Sequence, residues 1–301
     1  MQIGIFNMRG ISLPNFSEHF IKLELEELRR QGHHVELYWA KGRHPIREEV
    51  NQMDFAIYHF VPTALYFRGI RVPYCILPTA NDVFLDEGER LKILDKDGKC
   101  KFIGYQSFYH KRKYDEWGIT KPTVYIPHCA RTELFKRKRQ LGDRICAGGR
   151  LIPKKGLDRV IPHIDNLLVF GDGQLKEQLQ QLNPTAKFTG FLNGKNLRIL
   201  FEGCWLYLFP AIITPEGDSD GIPNSIKEAL LMQLQVIASP IAGIPELKGI
   251  HLLDDWSKKS IEEAIRDIPK EPNIIGEKYI RKIYNPESCV NRLIEGIETY
   301  R

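Results

Sequence analysis

Two hydrophobic periods alternate along the 301-residue chain. Ile3-Gly4-Ile5-Phe6 is a short apolar run of the kind a buried strand leaves, and it is followed over residues 17–31 by Phe20, Leu23, Leu25 and Leu28 at helical spacing. After Gly32 a second strand pattern occupies residues 35–38, and further short apolar runs fall at 55–58, 74–77, 102–105 and 124–126. Strands alternating with helices in this way predict a parallel sheet covered by helices. The pattern then breaks over residues 133–144, a polar and basic stretch ending in Gly142-Asp143 that reads as a linker. Beyond it the alternation restarts, with strand runs at 145–147, 167–170, 188–191, 206–209 and 236–238 and a final helix over 286–300. A chain of this length with one break near its middle predicts two domains.

Composition narrows the class. With 43% hydrophobic residues and no run long enough to cross a bilayer, the chain reads as soluble and globular. Residues 1–6 enter a strand directly, with no secretion signal ahead of it, and the six cysteines are scattered without a CxxC pair, which argues against a zinc site or a disulfide framework. A cytoplasmic location fits both features. The net charge is +5, and two basic runs stand out, His110-Lys111-Arg112-Lys113 and Lys136-Arg137-Lys138-Arg139. One reading is a solvated surface; the other is peripheral attraction to an anionic membrane, at its inner face for a cytoplasmic protein, or to an acidic glycan. No helix-turn-helix, RNA-binding or finger pattern accompanies the charge, so nucleic acid is not an expected partner.

The candidate chemistry is concentrated in residues 214–247. A loop rich in Asp and Gly leads through Gly221-Ile222-Pro223-Asn224-Ser225 into a helical pattern carrying Ile226, Ala229 and Leu230. Asn224 or Ser225 is placed to cap that helix, and its unpaired backbone N–H groups favour an anion, most often a phosphate. Asp220 and Glu228 bracket the helix start, and a strand and the turn Gly243-Ile244-Pro245-Glu246 follow. Asp218-Ser219-Asp220 on its own also reads as a solvated turn or as a metal-binding acidic pair; metal ligation is the weaker reading.

These residues resemble the donor-binding signature of the retaining glycosyltransferases of family 4, also called glycosyl transferases group 1. That family carries two acids separated by seven residues, the second followed by Ala, then a helix, a strand and a Gly-x-Pro-Glu turn. Asp220, Glu228, Ala229 and residues 243–246 match, with Asp in place of the usual first Glu. Gly148-Gly149-Arg150-Leu151 with Lys154-Lys155-Gly156 resembles the family's Gly-Arg-Leu and Lys-Gly motif, and Gly171-Asp172-Gly173 its strand-ending turn, which is equally a packing turn of Rossmann-like domains. The N-terminal half matches in outline: Gly32-His33 resembles a family turn, whereas Asn15-Phe16 stands where members often have Gly-Gly, and 78–82 lacks a frequent His.

The resemblance implies an α/β GT-B fold, two Rossmann-like parallel-sheet domains facing across a cleft with the last helix crossing back to the first domain. Expected boundaries are 1–138 for the acceptor side, 139–285 for the nucleotide-sugar domain and 286–301 for the returning helix. The implied activity is retaining transfer of a sugar from a nucleotide-sugar donor to a hydroxyl of a glycan, a lipid-linked acceptor or a small molecule, with no metal and no cofactor. Arg150 and Lys155 would hold the diphosphate, where fixed cations stabilise the leaving charge, and Lys154 is expected outside the cleft. Glu228 would accept from ribose hydroxyls, Asp220 would orient the sugar, and Gly149, Gly171, Gly221, Ile222, Pro223, Asn224, Ser225, Gly243 and Ile244 would line the donor. Asn15, His19 and Asn81 are the acceptor-side candidates. A non-catalytic nucleotide-sugar binder and a GT-B sugar-nucleotide epimerase remain the alternatives, and a nicotinamide dehydrogenase is disfavoured because no GxGxxG follows the first strand.

Overall fold

The computed structural model describes residues 1–8, 20–40, 42–79, 86 and 88–301. The chain divides into two compact units, one made of Met1–Cys129 together with Tyr284–Arg301 and the other of Ala130–Ile283.

The first unit is a six-stranded parallel sheet. Its strands are β1 (Gln2–Asn7), β2 (His34–Trp39), β3 (Phe55–His59), β4 (Tyr74–Leu77), β5 (Cys100–Tyr105) and β6 (Thr123–Tyr125), in the order β2-β1-β3-β4-β5-β6. Side chains alternate across a strand, so each strand feeds two cores. Ile3, Ile5, Phe55, Ile57, Cys75 and Leu77 enter one, and Phe6, Ala56, Tyr58, Tyr74 and Ile76 the other. Both faces must therefore be covered, which is why these strands read as continuous apolar runs. On one face lie the helix Phe20–Arg30, through Ile21, Leu25 and Leu28, and the helix Pro286–Tyr300, through Val290, Leu293 and Ile297. The latter opens with Asn285, whose side chain accepts from the Ser288 N–H, and with Pro at the first helical position, where a missing N–H is harmless.

The second unit repeats the architecture with β7 (Arg144–Gly148), β8 (Leu168–Phe170), β9 (Lys187–Gly190), β10 (Cys204–Phe209), β11 (Gln235–Ala238) and β12 (His251–Leu252). Their order is β12-β11-β10-β7-β8-β9, all parallel. The connections run outward from β7 in one direction and outward from β10 in the other, so the chain reverses between these two neighbours. In open α/β sheets the crevice at the carboxyl ends of such a pair is where ligands bind. The core beside β7 and β10 is built from Ala147, Leu206, Leu208, Ile237, Leu151, Val160 and Trp205. All six cysteines are buried and none is in a disulfide, and no helix among the described residues is long and apolar enough to cross a membrane.

Candidate functional site

The carboxyl edge of β7 and β10 gathers the residues singled out in the sequence. β7 ends in Gly148-Gly149, and the Gly149 N–H donates to Phe170 O at 3.0 Å. Gly149 (φ +135°) and Gly171 (φ +109°) form a joint that admits no side chain: a Cβ on Gly171 would stand 1.7 Å from Gly149 O. Both glycines thus have a backbone reason to be glycine. The chain then makes a 3-10 turn at Pro153–Lys155, released by Gly156 in the left-handed region at φ +59°. A Cβ there would strike Pro210 O at 2.1 Å, so the turn is held close against the segment leaving β10. The Ile212 N–H, which donates to Lys154 O at 3.0 Å, adds a second stitch.

This turn delivers two lysines to one acidic loop. The Lys155 ammonium donates to Asp220 at 2.6 Å and lies 4.9 Å from the centre of the Phe209 ring, next to Gly149. Lys154, expected outside the site, is instead 1% exposed. Its ammonium donates to Asp218 at 2.9 Å and to Ser219 O at 3.4 Å, and stands 3.5 Å from Asp220. A buried ammonium is costly unless it is paired, and the Asp218-Ser219-Asp220 loop supplies the pairing. An ammonium therefore sits between the two carboxylates that had suggested a metal. Arg150 is exposed, and its charge also acts on Asp220. Burial pushes the Asp220 carboxyl up, but Lys155, Lys154 and Arg150 outweigh it and hold the group below the usual Asp range.

The helix that follows spans Asn224–Leu231. Neither expected cap serves: Pro223 is the N-cap residue, in extended geometry, and no side chain caps the helix end. The backbone N–H groups of its first turn are the ordinary donors of an anion site. Asn224 is exposed, Ser225 and Ile222 are half-buried, and Gly221 and Pro223 are buried. Tyr207, buried on β10, donates to Gly148 O at 3.0 Å, and its oxygen lies 2.9 Å from Ser225 Oγ. One phenol thus ties the glycine turn after β7 to the start of the helix. Burial drives that phenol well above its ordinary pKa, and the negative charges of Asp220 and Glu228 add to the effect.

Glu228 lies one turn beyond Ser225 on the same helix face. It is 5% exposed, and Oε1 accepts from Arg131 Nε at 3.0 Å and Nη2 at 2.7 Å. Arg131 also lies 4.9 Å from the centre of the Phe135 ring. Sequence reasoning missed Arg131: it is 97 residues from its partner and belongs to no motif used above. Gly243 and Ile244 are buried in the turn after β11, at the opening of the 3-10 turn Ile244–Glu246. Asn15, His19 and Asn81 lie outside the described residues.

Residues 143–269, nearly all of the second sheet and its site, match the family model described as glycosyl transferases group 1. That stretch is similar to the group 1 glycosyl transferases. The chain is also similar to two curated enzymes. It is 30% identical over 128 residues to the amylovoran biosynthesis glycosyltransferase AmsK of Erwinia amylovora, covering 38% of this chain and 31% of that protein. It is 33% identical over 129 residues to the GDP-mannose-dependent alpha-mannosyltransferase of Mycolicibacterium smegmatis, covering 41% and 32%. The matched stretch thus spans about a third of these relatives.

Solved structures extend the likeness in fold to nearly the whole chain. Sucrose-phosphate synthase from Thermosynechococcus elongatus superposes with a TM-score of 0.78 at 15% identity, over 99% of this chain and 98% of that one. Anabaena HepE, solved in complex with UDP and glucose, gives 0.73 at 14% identity, over 99% and 100%. Identities this low establish the fold alone, which is the two-sheet α/β fold of GT-B glycosyltransferases.

Proposed function

We propose that this chain is a retaining glycosyltransferase that moves a sugar from a nucleotide-sugar donor to an acceptor hydroxyl without a divalent cation. The observation that carries the reading is the convergence, at the reversal between β7 and β10, of Gly149, Lys155, Asp220 and an uncapped helix N-terminus. A leaving nucleoside diphosphate gains negative charge as the glycosidic bond breaks. Lys155, Arg150 and the backbone N–H groups of 224–226 are preorganised donors and cations for that charge. Arg grips two phosphate oxygens through its fork, while Lys supplies a point charge. The Lys154 ammonium between Asp218 and Asp220 supports the metal-free form of the reading, because those carboxylates already have a cation.

Glu228 would receive the ribose hydroxyls, with Arg131 gripping its other oxygen and fixing its rotamer. Asp220, kept ionised by its lysines, would accept from a sugar hydroxyl. The second unit is thus the donor side and the first the acceptor side. Retention would proceed by front-face displacement, with the departing phosphate helping to deprotonate the acceptor. Several similar proteins bear names of polysaccharide biosynthesis, amylovoran and teichuronic acid among them, which supports a glycan acceptor. One relative is named as GDP-mannose-dependent and one structural neighbour, Anabaena HepE, was solved with UDP-glucose, so hexose donors are the first to try.

The test is a thermal-shift screen against UDP, GDP, ADP, dTDP and their common sugars, with and without EDTA. A selective shift by one nucleoside diphosphate that survives EDTA is expected, since a ligand that binds only the folded state raises its stability. Transfer to an oligosaccharide acceptor, followed by proton NMR of the new anomeric centre, should then show the donor's configuration kept. Absence of a shift with every nucleotide would refute the donor site. Conversion of the nucleotide sugar to its epimer without any acceptor would point to the epimerase class instead.

A further inference from the structure

We infer that Lys154 is a positioning residue for the donor sugar: its buried ammonium holds the loop that carries Asp220 and so sets where a sugar hydroxyl can be received. The inference rests on the donor-site reading above and concerns a residue that no motif role covers.

Three observations carry it. The ammonium reaches three consecutive residues at once, Asp218 at 2.9 Å, Ser219 O at 3.4 Å and Asp220 at 3.5 Å. The loop is therefore folded around a single charge, and its tight turn is closed further by the Thr214 N–H donating to Asp218 O at 2.9 Å and the Gly217 N–H to Thr214 O at 2.8 Å. Second, at 1% exposure Lys154 has no surface left with which to touch a donor, so whatever it does for binding passes through its partners. Third, the two oxygens of Asp220 are divided between two ammonium groups, Oδ1 toward Lys154 and Oδ2 toward Lys155. Two-point attachment fixes the rotation of the carboxylate as well as its place.

That division of labour has a chemical consequence. An ammonium has three protons, so Lys155 can serve Asp220 and a phosphate oxygen together, while Lys154 holds the other carboxylate oxygen of Asp220 and the loop that carries it. Asp is one methylene shorter than the Glu expected at this position, so its reach depends more heavily on where the loop backbone stands. Lys154 sets that backbone through its side chain and, through its carbonyl, the segment after β10.

The experiment compares Lys154→Met and Asp218→Asn with the wild type in calorimetric titrations with UDP, GDP, ADP and dTDP and with their nucleotide sugars, followed by initial rates. Lys154→Met should bind the free nucleoside diphosphate as the wild type does. It should lose the affinity that the sugar adds, and kcat should fall about 10- to 100-fold, the loss expected when a reacting group is displaced by about an ångström. Asp218→Asn, which leaves no charge buried alone in place of its carboxylate, should show a smaller loss in the same direction. Folded variants with wild-type sugar discrimination and kcat would overturn the inference. So would an equal loss of affinity for diphosphate and nucleotide sugar, which would make Lys154 a diphosphate ligand. If Lys154→Met does not fold, Asp218→Asn decides. A wild type that binds none of the nucleotides refutes the donor reading itself, an outcome distinct from failure in the variants alone.

Discussion

At the carboxyl edge of the second sheet, between β7 and β10, the chain sets glycines that no other residue could replace, two lysines, two aspartates and an uncapped helix end. The equivalent reversal in the first sheet lies between β1 and β3, and there the strands end in Asn7 and His59, both fully buried. His59 Nε2 meets Glu24 of the Phe20–Arg30 helix at 2.9 Å, and Phe60, just beyond, takes φ +72°, a backbone region that L residues seldom adopt. The two sheets have the same strand count and the same parallel sense, yet the family model covers the second and does not touch the first. On the proposed reading, a diphosphate and a ribose make the same demands wherever they bind, so the side chains proposed to meet them stay recognisable. A scaffold strand needs only an apolar residue of suitable size, and many sequences satisfy that.

The contrast can be broken most directly at Lys155. Lys155→Ala should lower kcat/KM about 100- to 1,000-fold, the range for removing one preorganised stabiliser of developing charge. Its melting temperature should change much less than its turnover, because Lys154 still pairs with Asp220. Steady-state rates beside a thermal melt decide the matter, and near-normal transfer with an unchanged donor KM would remove Lys155 from the diphosphate site.

Leu293→Ala should do the converse in the first unit. Leu293 is fully buried in the core shared by β1, β3 and the Phe20–Arg30 helix. Truncation should cost about 2–5 kcal/mol in denaturant unfolding, while titration of the second unit with nucleoside diphosphate reports unchanged affinity. Loss of both together would mean that the two units unfold as one.

Acid should sharpen the comparison by a smaller margin. Burial depresses the His110 imidazole to about 4, and its Nδ1 sits 2.7 Å from Ser107 Oγ. Between that value and the ordinary His value the unfolded chain binds the extra proton, so stability is full above about pH 6.5 and declines as pH falls toward 4. At pH 5 the loss relative to pH 7.5 should be about 2 kcal/mol, from 1.36 kcal/mol per pKa unit. His110→Gln should flatten that slope. Asp220 should remain ionised through the same window, because its lysines hold it below the usual Asp range.

Much of the scaffold was legible in the sequence because it depends on local period. The last helix runs over Pro286–Tyr300, as the pattern predicts, and the strand runs of both halves reappear as β1 to β11 within a residue or two. Lys154 was misjudged for a physical reason: Lys154 and Lys155 are chemically identical neighbours, and only the 3-10 turn at Pro153–Lys155 sends both ammonium groups to the same loop, 64 and 65 residues further on. Arg131 escaped notice because its grip on Glu228 is a tertiary contact, invisible to any window of a dozen residues. The helix cap failed as an expectation because Pro223 takes the N-cap position, so Asn224 and Ser225 enter the helix itself, and Ser225 is engaged by Tyr207 instead.

The return of residues 284–301 to the first unit also sets an order of events during synthesis. Val290, Leu293 and Ile297 close one side of the core that Ile3, Ile5 and Ile21 open. A ribosome makes those closing residues only after the whole of Ala130–Ile283 has been translated. The unit whose strands are made first therefore completes its interior last, and until then a hydrophobic wall of its sheet faces water. The second unit, contiguous in the chain, has no such wait.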